Sequence, residues 1–285
     1  MRSATCPAQA SVPPSVPQGD MARLSPSLMR GLSILHCFTP ERPVWGAVEI
    51  AQQLDIGQTS ARRYLTTLAV MGYLQQLPDA GRQHRYRLGL RVTDLGLCAV
   101  NSTGLREHSR AHLELLRQSS AHTASLAILD VPEIVYVDRI PSFGRSQEAP
   151  ERGIATGSRL PAYCTALGKA LLAHLPADER SHLIAEMVLA ERTPSTITNR
   201  QALCTELDEI RQARFAISDQ ELLRGVIALA APVRNVAGDV VAAVGITAHV
   251  LEGSMQELIA AALPSVQRAA SEISGQLGFR EQAGA

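Results

Sequence analysis

The amino-terminal fold is decided by residues 58–91, whose sequence is QTSARRYLTTLAVMGYLQQLPDAGRQHRYRLGLR. Its first part predicts a helix with one buried face, because apolar residues recur at helical spacing at Ala61, Leu65, Leu68 and Ala69. Two strand-like runs, residues 72–77 and 83–88, follow around a turn that contains proline and glycine. A shorter amphipathic pattern at residues 48–54 precedes the stretch. Two short helices followed by a hairpin are the outline of a winged helix-turn-helix.

The same stretch concentrates positive charge. It holds six arginines against one acid, Asp79, which gives a net charge of +5 in a chain that is formally neutral. Amide, hydroxyl and guanidinium groups on the outer face of such a helix read base edges, and arginines on a hairpin hold phosphates. The predicted DNA-binding residues are Gln58, Thr59, Ser60, Arg62, Arg63 and Thr66 on the helix, with Arg82, Arg85 and Arg87 on the hairpin. The alternative is a solvated, arginine-rich helix and hairpin in an ordinary domain.

Length and composition predict a globular protein of about two domains. The chain has 285 residues, 46% of them hydrophobic, and no apolar run of the about 18 to 20 residues that a bilayer span needs. The first 22 residues are rich in proline and lack the apolar core of a signal peptide, so we expect a disordered tail. The five cysteines are widely spaced and form no CxxC motif, which argues against disulfides or zinc. We therefore predict a cytoplasmic protein with no metal and no cofactor.

The order of domains follows from breaks in these patterns. Ser25-Pro26 is a start signal for a first helix over about residues 27–38. This helix is expected to pack on the helix-turn-helix pair through Leu28, Leu32, Ile34, Leu35 and Phe38. The predicted segments are a tail at 1–22, a winged helix-turn-helix domain at 23–89, a linker helix and hinge at 90–104, an effector-binding domain at 105–278 and a tail at 279–285.

The second domain is predicted to be an antiparallel sheet with flanking helices, so the whole chain belongs to the α+β class. Strands are predicted at residues 123–129, 133–140, 153–156, 225–234 and 238–248, and helices at 105–119, 165–174, 177–187, 200–213 and 254–277. Residues 101–285 carry 17 basic and 21 acidic side chains, a net charge of −4. A basic module joined to an acidic α/β module is the arrangement expected of a DNA-binding protein regulated by a small molecule.

A candidate ligand site lies at the strand-to-helix junction, residues 157–169. Small residues around Thr165 leave backbone N–H groups open, and a helix amino terminus attracts a carboxylate or phosphate. The alternative is that Thr165 simply caps the helix and no ligand binds. Arg139 and Arg159 are alternative partners for a carboxylate.

The chain resembles the IclR family of bacterial transcription regulators over about residues 23–277. The blocks that carry the resemblance include Glu49-Ile50-Ala51, Thr59-Ser60 with Arg63, Gly72-Tyr73, Tyr86-Arg87-Leu88-Gly89, and residues 135–139, 157–161, 166–173, 196–198, 219–221, 225–233 and 241–244. The resemblance implies a winged-helix domain joined by a helix to a GAF-like effector domain. It also implies dimers or tetramers that bind palindromic double-stranded operators, with RNA polymerase as a further partner and no membrane partner.

The same resemblance implies a small carboxylate as the effector. Carried over to this sequence, it places the anion on the backbone of Ala166 and Leu167. The predicted effector-binding residues are Tyr163, Thr165, Ala166, Leu167, Gly168, Asp219, Glu221, Ile227, Pro232, Gly245 and Thr247. Residues 159–165, RLPAYCT, most resemble regulators that respond to protocatechuate, 4-hydroxybenzoate or related β-ketoadipate-pathway compounds. We therefore expect a regulator of a catabolic operon with an aromatic carboxylate as effector.

Other functions stay open at this point. Cys164 beside a helix start also suits a redox-sensing regulator, or a cysteine-dependent enzyme, although no histidine falls in a motif that links it to this cysteine. A DNA-binding architectural or toxin-like module without a ligand is a further alternative. The sequence departs from the family pattern in three places, at Arg62, at Arg214 and at Trp45-Gly46-Ala47.

Overall fold

A computed structural model describes residues 24–39, 41–78, 84–101, 104–142 and 153–280. The predicted tail at 1–22 and the hairpin residue Arg82 therefore lie outside the described residues. The chain divides into two compact units between Ala99 and Val100, a point that falls inside the segment predicted as the linker. Each unit is described by itself.

The first unit is a winged helix-turn-helix. Its helices are α1 (Pro26–His36), α2 (Ala47–Gln53) and α3 (Gln58–Val70), and its strands are β1 (Trp45–Gly46), β2 (Leu74–Gln76) and β3 (Arg85–Leu88). The strands form an antiparallel sheet in the order β1-β3-β2. Ile34, Ile50, Leu65 and Tyr86 lie at the centre of the core. Helix α4 (Arg91–Asn101) follows and spans the division between the units.

The structure of this unit differs from the prediction in two places. Leu28 and Leu32 are 63% and 49% exposed, whereas Ile34 is fully buried. The two leucines are four residues apart and lie on the same side of α1, whereas Ile34 lies on the side that is turned to the core. Strand β1 was not predicted, because its two residues are too few to show alternation; it is recognised only by pairing Trp45 with Tyr86.

The second unit is built on one antiparallel sheet. Its strands are β4 (Thr123–Asp130), β5 (Glu133–Ile140), β6 (Arg159–Pro161), β7 (Ala216–Asp219), β8 (Val226–Arg234) and β9 (Val240–His249). Its helices are α5 (Leu105–Ser120), α6 (Ala166–Leu172), α7 (Ala177–Glu186), α8 (Arg200–Ala213) and α9 (Met255–Gln276). The six strands lie in the order β6-β5-β4-β9-β8-β7. The α+β class predicted from the sequence is confirmed.

Each face of this sheet carries its own apolar core. One core joins the sheet to α5 and α9, through residues such as Leu116, Leu229 and Val266. The other joins it to α6 and α8, through residues such as Leu171 and Leu207. Because neighbouring residues of a strand point to opposite faces, β8 contributes alternately to both cores.

Two strands of this unit differ from the prediction. The short strand expected at 153–156 lies instead at Arg159–Pro161, where Leu160 pairs with Ile134 on the edge of the sheet. Strand β7 was missed, since its four residues become a strand only by pairing with β8. Arg214, which ends α8 just before β7, has a left-handed backbone with φ of 60°. That conformation favours glycine, which is the physical reason for the family pattern from which Arg214 departs.

Candidate functional site

Helix α3 presents the predicted reading residues on its solvent side. Ala61 and Leu65 are fully buried against the rest of the first unit. On the other side, the exposed or half-buried residues include all six that were predicted, Gln58, Thr59, Ser60, Arg62, Arg63 and Thr66. One helical face therefore carries amide, hydroxyl and guanidinium groups without a competing role in the core.

The hairpin holds its two described arginines on one side of β3. Tyr86 points into the core, so Arg85 and Arg87 on either side of it both face solvent. Arg87 Nε donates a hydrogen bond of 2.9 Å to Gln75 Oε1, and Arg85 Nη2 lies 3.2 Å from Glu49 Oε2. Both guanidinium groups are oriented by neighbours on the protein.

Glu49 connects the start of α2 with the hairpin. Its carboxylate accepts the backbone N–H of Gly46 at 2.7 Å and lies 2.8 Å from Arg42, whose guanidinium stacks over Trp45. Partial burial acts to raise the pKa of Glu49, but the hydrogen bond from Gly46 and the charges of Arg42 and Arg85 bring it below its ordinary value. Neither Glu49 nor Arg42 was predicted as a site residue. Glu49 is 36 residues before Arg85 in the chain, and Arg42 lies further away still, so no local pattern connects them.

A cleft lies in the second unit where α6 begins above the sheet, with an empty volume of about 530 Å³, part of it open to solvent. Five of the predicted effector residues border it: Thr165, Ala166, Leu167, Gly245 and Thr247. Other bordering residues were not in the predicted set, and they include Tyr136, Arg139, Cys164, Ser218, Leu222 and Ala228. The cleft is mainly apolar, with a few polar groups at its edges.

The other six predicted effector residues do not border this cleft. Tyr163 is buried and donates its hydroxyl to the carbonyl of Ala190 at 2.6 Å. Ile227 belongs to the core formed with α5 and α9, on the opposite face of the sheet. Gly168 packs so closely on Ala162 that an added Cβ would lie 2.2 Å from its carbonyl oxygen. The last three also lie outside the cleft lining. Asp219 is exposed at the end of β7, Glu221 is buried in an ion pair, and Pro232 lies further along β8.

The start of α6 both caps itself and leaves donors for a ligand. The Thr165 hydroxyl accepts a hydrogen bond from the N–H of Gly168 at 3.2 Å, and the Thr165 carbonyl accepts one from the N–H of Lys169 at 2.9 Å. The N–H groups of Ala166 and Leu167, in the first turn, have no acceptor within the helix. Capping by Thr165 and binding of an anion are therefore compatible.

The structure separates the two arginines considered as carboxylate partners. Arg159 lies on the edge strand β6 and is paired with Asp130 and with Glu133, the latter at 3.4 Å. Arg139 borders the cleft, with its guanidinium carbon 5.9 Å from the ring centre of Tyr136. Of the two, Arg139 is the one placed to meet a ligand in the cleft.

Cys164 borders the cleft but is a weak candidate for thiol chemistry. Burial, with a further contribution from the negative charge of Glu221, raises the pKa of the Cys164 thiol to about 12. Nucleophilic attack and rapid oxidation both need the thiolate. The protonated thiol at neutral pH argues against the redox and enzymatic alternatives.

A buried ion cluster supports α6 from behind. Lys169, the only lysine of the chain, is fully buried and pairs with Glu206 and with Glu221, whose Oε1 lies 2.5 Å from its Nζ. Burial raises the pKa of Glu221, although the charge of Lys169 opposes that shift. The sequence signal for this cluster is a single charged residue in an otherwise apolar helix.

The described residues contain no helix that is both long and apolar enough to cross a bilayer. In the same part of the chain, no cluster of three or more histidine, cysteine or acidic side chains is arranged to hold a metal ion.

Comparisons with known proteins agree with both units. Residues 27–78 match the family model of the IclR helix-turn-helix domain, and residues 97–275 match that of the bacterial transcriptional regulator IclR C-terminal domain. The "p-hydroxybenzoate hydroxylase transcriptional activator" of Acinetobacter baylyi is 32% identical over 248 residues, which are 86% of this chain and 89% of that protein. The "Pca regulon regulatory protein" of Pseudomonas putida is 28% identical over 251 residues, 88% of this chain and 84% of its own.

Among solved structures, the crystal structure of IclR from Thermotoga maritima has the same fold. Its TM-score is 0.69 at 25% sequence identity, over 89% of this chain and 99% of that one. The relatives are named as transcription regulators and not as enzymes. The two family models together cover most of the chain, and the chain therefore belongs to the IclR family of bacterial transcriptional regulators.

Proposed function

We propose that this regulator controls a catabolic operon and that its effector is a small aromatic carboxylate, such as protocatechuate or 4-hydroxybenzoate. The observation that carries the proposal is the cleft, which combines an apolar interior with a helix start and Arg139 at its border. The name of the Acinetobacter relative, an activator for p-hydroxybenzoate hydroxylase, points to the same class of compound.

The cleft offers a partner for each part of such a ligand. The side chains of Leu167, Leu222 and Ala228 provide apolar walls for a flat ring. The N–H groups at the start of α6 and the guanidinium of Arg139 suit the carboxylate. Hydroxyl groups at the border, such as that of Thr247, suit polar substituents on the ring.

The DNA-binding half of the proposal assigns α3 to the major groove. Arg63 and its neighbours would read base edges, while Arg85 and Arg87 would hold phosphates and fix the register. A palindromic operator then requires two copies of α3, so a dimer or a tetramer is the binding form.

Thermal unfolding of the full-length protein tests the effector class. We expect benzoate, 4-hydroxybenzoate or protocatechuate at saturating concentration to raise the melting temperature, because a ligand that binds only the folded state stabilises it. Phenol, which lacks the carboxylate, is the matched control and should give a much smaller shift. If none of the three acids shifts the melting temperature, the proposed effector class is wrong, and screening moves to non-aromatic carboxylates.

A gel-shift experiment tests whether the same ligand is a signal. The acid that raises the melting temperature should change the affinity for an operator selected from the DNA upstream of the gene. Unchanged operator affinity with a bound acid would contradict an effector role.

A further inference from the structure

One buried hydroxyl in the sheet has no partner among the described residues. Ser125 in β4 is 1% exposed, and its Oγ makes no hydrogen bond within the described part of the chain. The other three serines that are buried there all use their hydroxyls, for Ser109 donates to Arg106, Ser218 to Cys164 and Ser274 to Ala270. Because an unpaired buried hydroxyl destabilises the fold, Ser125 calls for a role outside the folding of the sheet.

The register of the sheet places this hydroxyl on the cleft side. Ser125 is directly opposite Arg139 in β5 and Gly245 in β9, and both of these residues border the cleft. Directly paired residues point to the same face of a sheet. Its chain neighbours Ala124 and Leu126 belong to the core on the opposite face, under α5 and α9. The Ser125 side chain therefore points to the face of the sheet on which the cleft lies.

The surroundings decide which part of a ligand the hydroxyl suits. Thr123, two residues earlier in β4, already accepts the N–H of Ser142 at 3.2 Å. Ser125 thus keeps a free donor and acceptor on the face of the sheet that carries the cleft, where Thr247 also lies. A group that both donates and accepts matches a neutral hydroxyl, whereas a carboxylate is better served by the N–H groups of α6 and by Arg139.

We propose that Ser125 recognises the ring hydroxyl of the effector and so determines specificity for hydroxylated over unsubstituted aromatic acids. This inference rests on the proposed function. Ser125 does not itself border the empty volume, so contact with it requires a side chain that borders the cleft, such as Arg139, to move when the ligand enters. Gly245, the neighbour on the other side, has no side chain to obstruct the approach.

Isothermal titration of the full-length protein with 4-hydroxybenzoate and with benzoate tests the assignment. In Ser125→Ala the dissociation constant for 4-hydroxybenzoate should rise about 3- to 10-fold, the effect of one lost hydrogen bond, while that for benzoate stays unchanged. Ser274→Ala is the matched control, since its buried hydroxyl bonds Ala270 and accepts the N–H of Arg234 at 2.9 Å, outside the cleft. It should leave the ratio of the two constants as in the wild type.

The ligand-free proteins provide a second measurement. Ser125→Ala should melt at or above the wild-type temperature, because no hydrogen bond is lost, whereas Ser274→Ala should melt below it. The assignment is overturned if Ser125→Ala melts like the control, if it weakens both acids equally or neither, or if the wild type does not prefer 4-hydroxybenzoate to benzoate. Failure of the wild type to bind either acid would instead overturn the proposed function, and this assignment with it.

Discussion

The exposed face of α3 and the cleft of the second unit are built in opposite ways. The α3 face takes all its groups from one helix, and solvent surrounds them. The cleft takes its groups from α6 and four strands, and Lys169, which lies behind it on α6, is fully buried and paired with acids. Removing a charge from the α3 face should therefore change the free energy of unfolding little. Removing one from the buried cluster should lower it strongly, because the remaining charge is left without water or a counter-ion.

The largest difference is expected for stability. Lys169→Met leaves Glu221, which is 5% exposed, without its cation and should cost about 3 to 5 kcal/mol in the free energy of unfolding. Arg159→Met, which removes an exposed ion pair on β6, should cost about 1 kcal/mol or less. Urea unfolding of the full-length variants measures both, and adding Glu221→Gln to Lys169→Met should recover part of the loss. Equal losses for Lys169→Met and Arg159→Met would show that the buried cluster does not stabilise the fold.

The α3 face is expected to affect DNA binding and not folding. Arg63→Ala should weaken binding to the selected operator by about 1 to 3 kcal/mol if its guanidinium contacts a base, with little change in melting temperature. Arg85→Ala should weaken specific and non-specific DNA alike, since it is assigned to a phosphate. Gel shifts at fixed salt measure these effects, with the exposed α9 residue Arg268→Ala as control. Unchanged affinity in both variants would remove α3 and the hairpin from the DNA interface.

A smaller effect is expected for the arginine at the cleft. Arg139→Gln should weaken benzoate binding by about 1.5 kcal/mol, roughly tenfold, the lower range for a hydrogen bond to a charged group. Arg159→Gln, which changes the same side chain on the outer edge of the sheet, should leave it unchanged. Titration calorimetry compares the two. An equal effect in both variants would indicate a general electrostatic contribution and no direct contact.

No effect is expected at Cys164 under conditions that modify an exposed thiol. With its pKa raised to about 12 by burial, Cys164 stays protonated at pH 7 and should resist iodoacetamide, whereas the exposed Cys98 should react. Mass spectrometry of the alkylated protein identifies the modified residue. Rapid alkylation of Cys164 in the folded protein would reopen the redox alternative.

The difference between the two regions also explains what could be predicted. The α3 stripe was predicted because a helix repeats every 3.6 residues whatever surrounds it. Ile227 was assigned to the effector site by the family resemblance, but alternation along β8 turns it to the other face and leaves the smaller Ala228 at the cleft. Lys169 and Glu221 are 52 residues apart, and nothing local in the sequence connects them.

By itself, the sequence determined the order of the two units, the polar outer face of α3, the helix start at Thr165 and membership of the family, because each is carried by local patterns or contiguous blocks. Only the tertiary structure decided which of Arg139 and Arg159 borders the cleft, which face Ile227 takes, what Lys169 pairs with and where Ser125 points. The placement of the two arginines, Ile227 and Ser125 depends on the register between strands, where a shift of one residue would turn every side chain of a strand to the opposite face. The pairing of Lys169 depends on the packing of α6 against α8 and against the residues that follow β7.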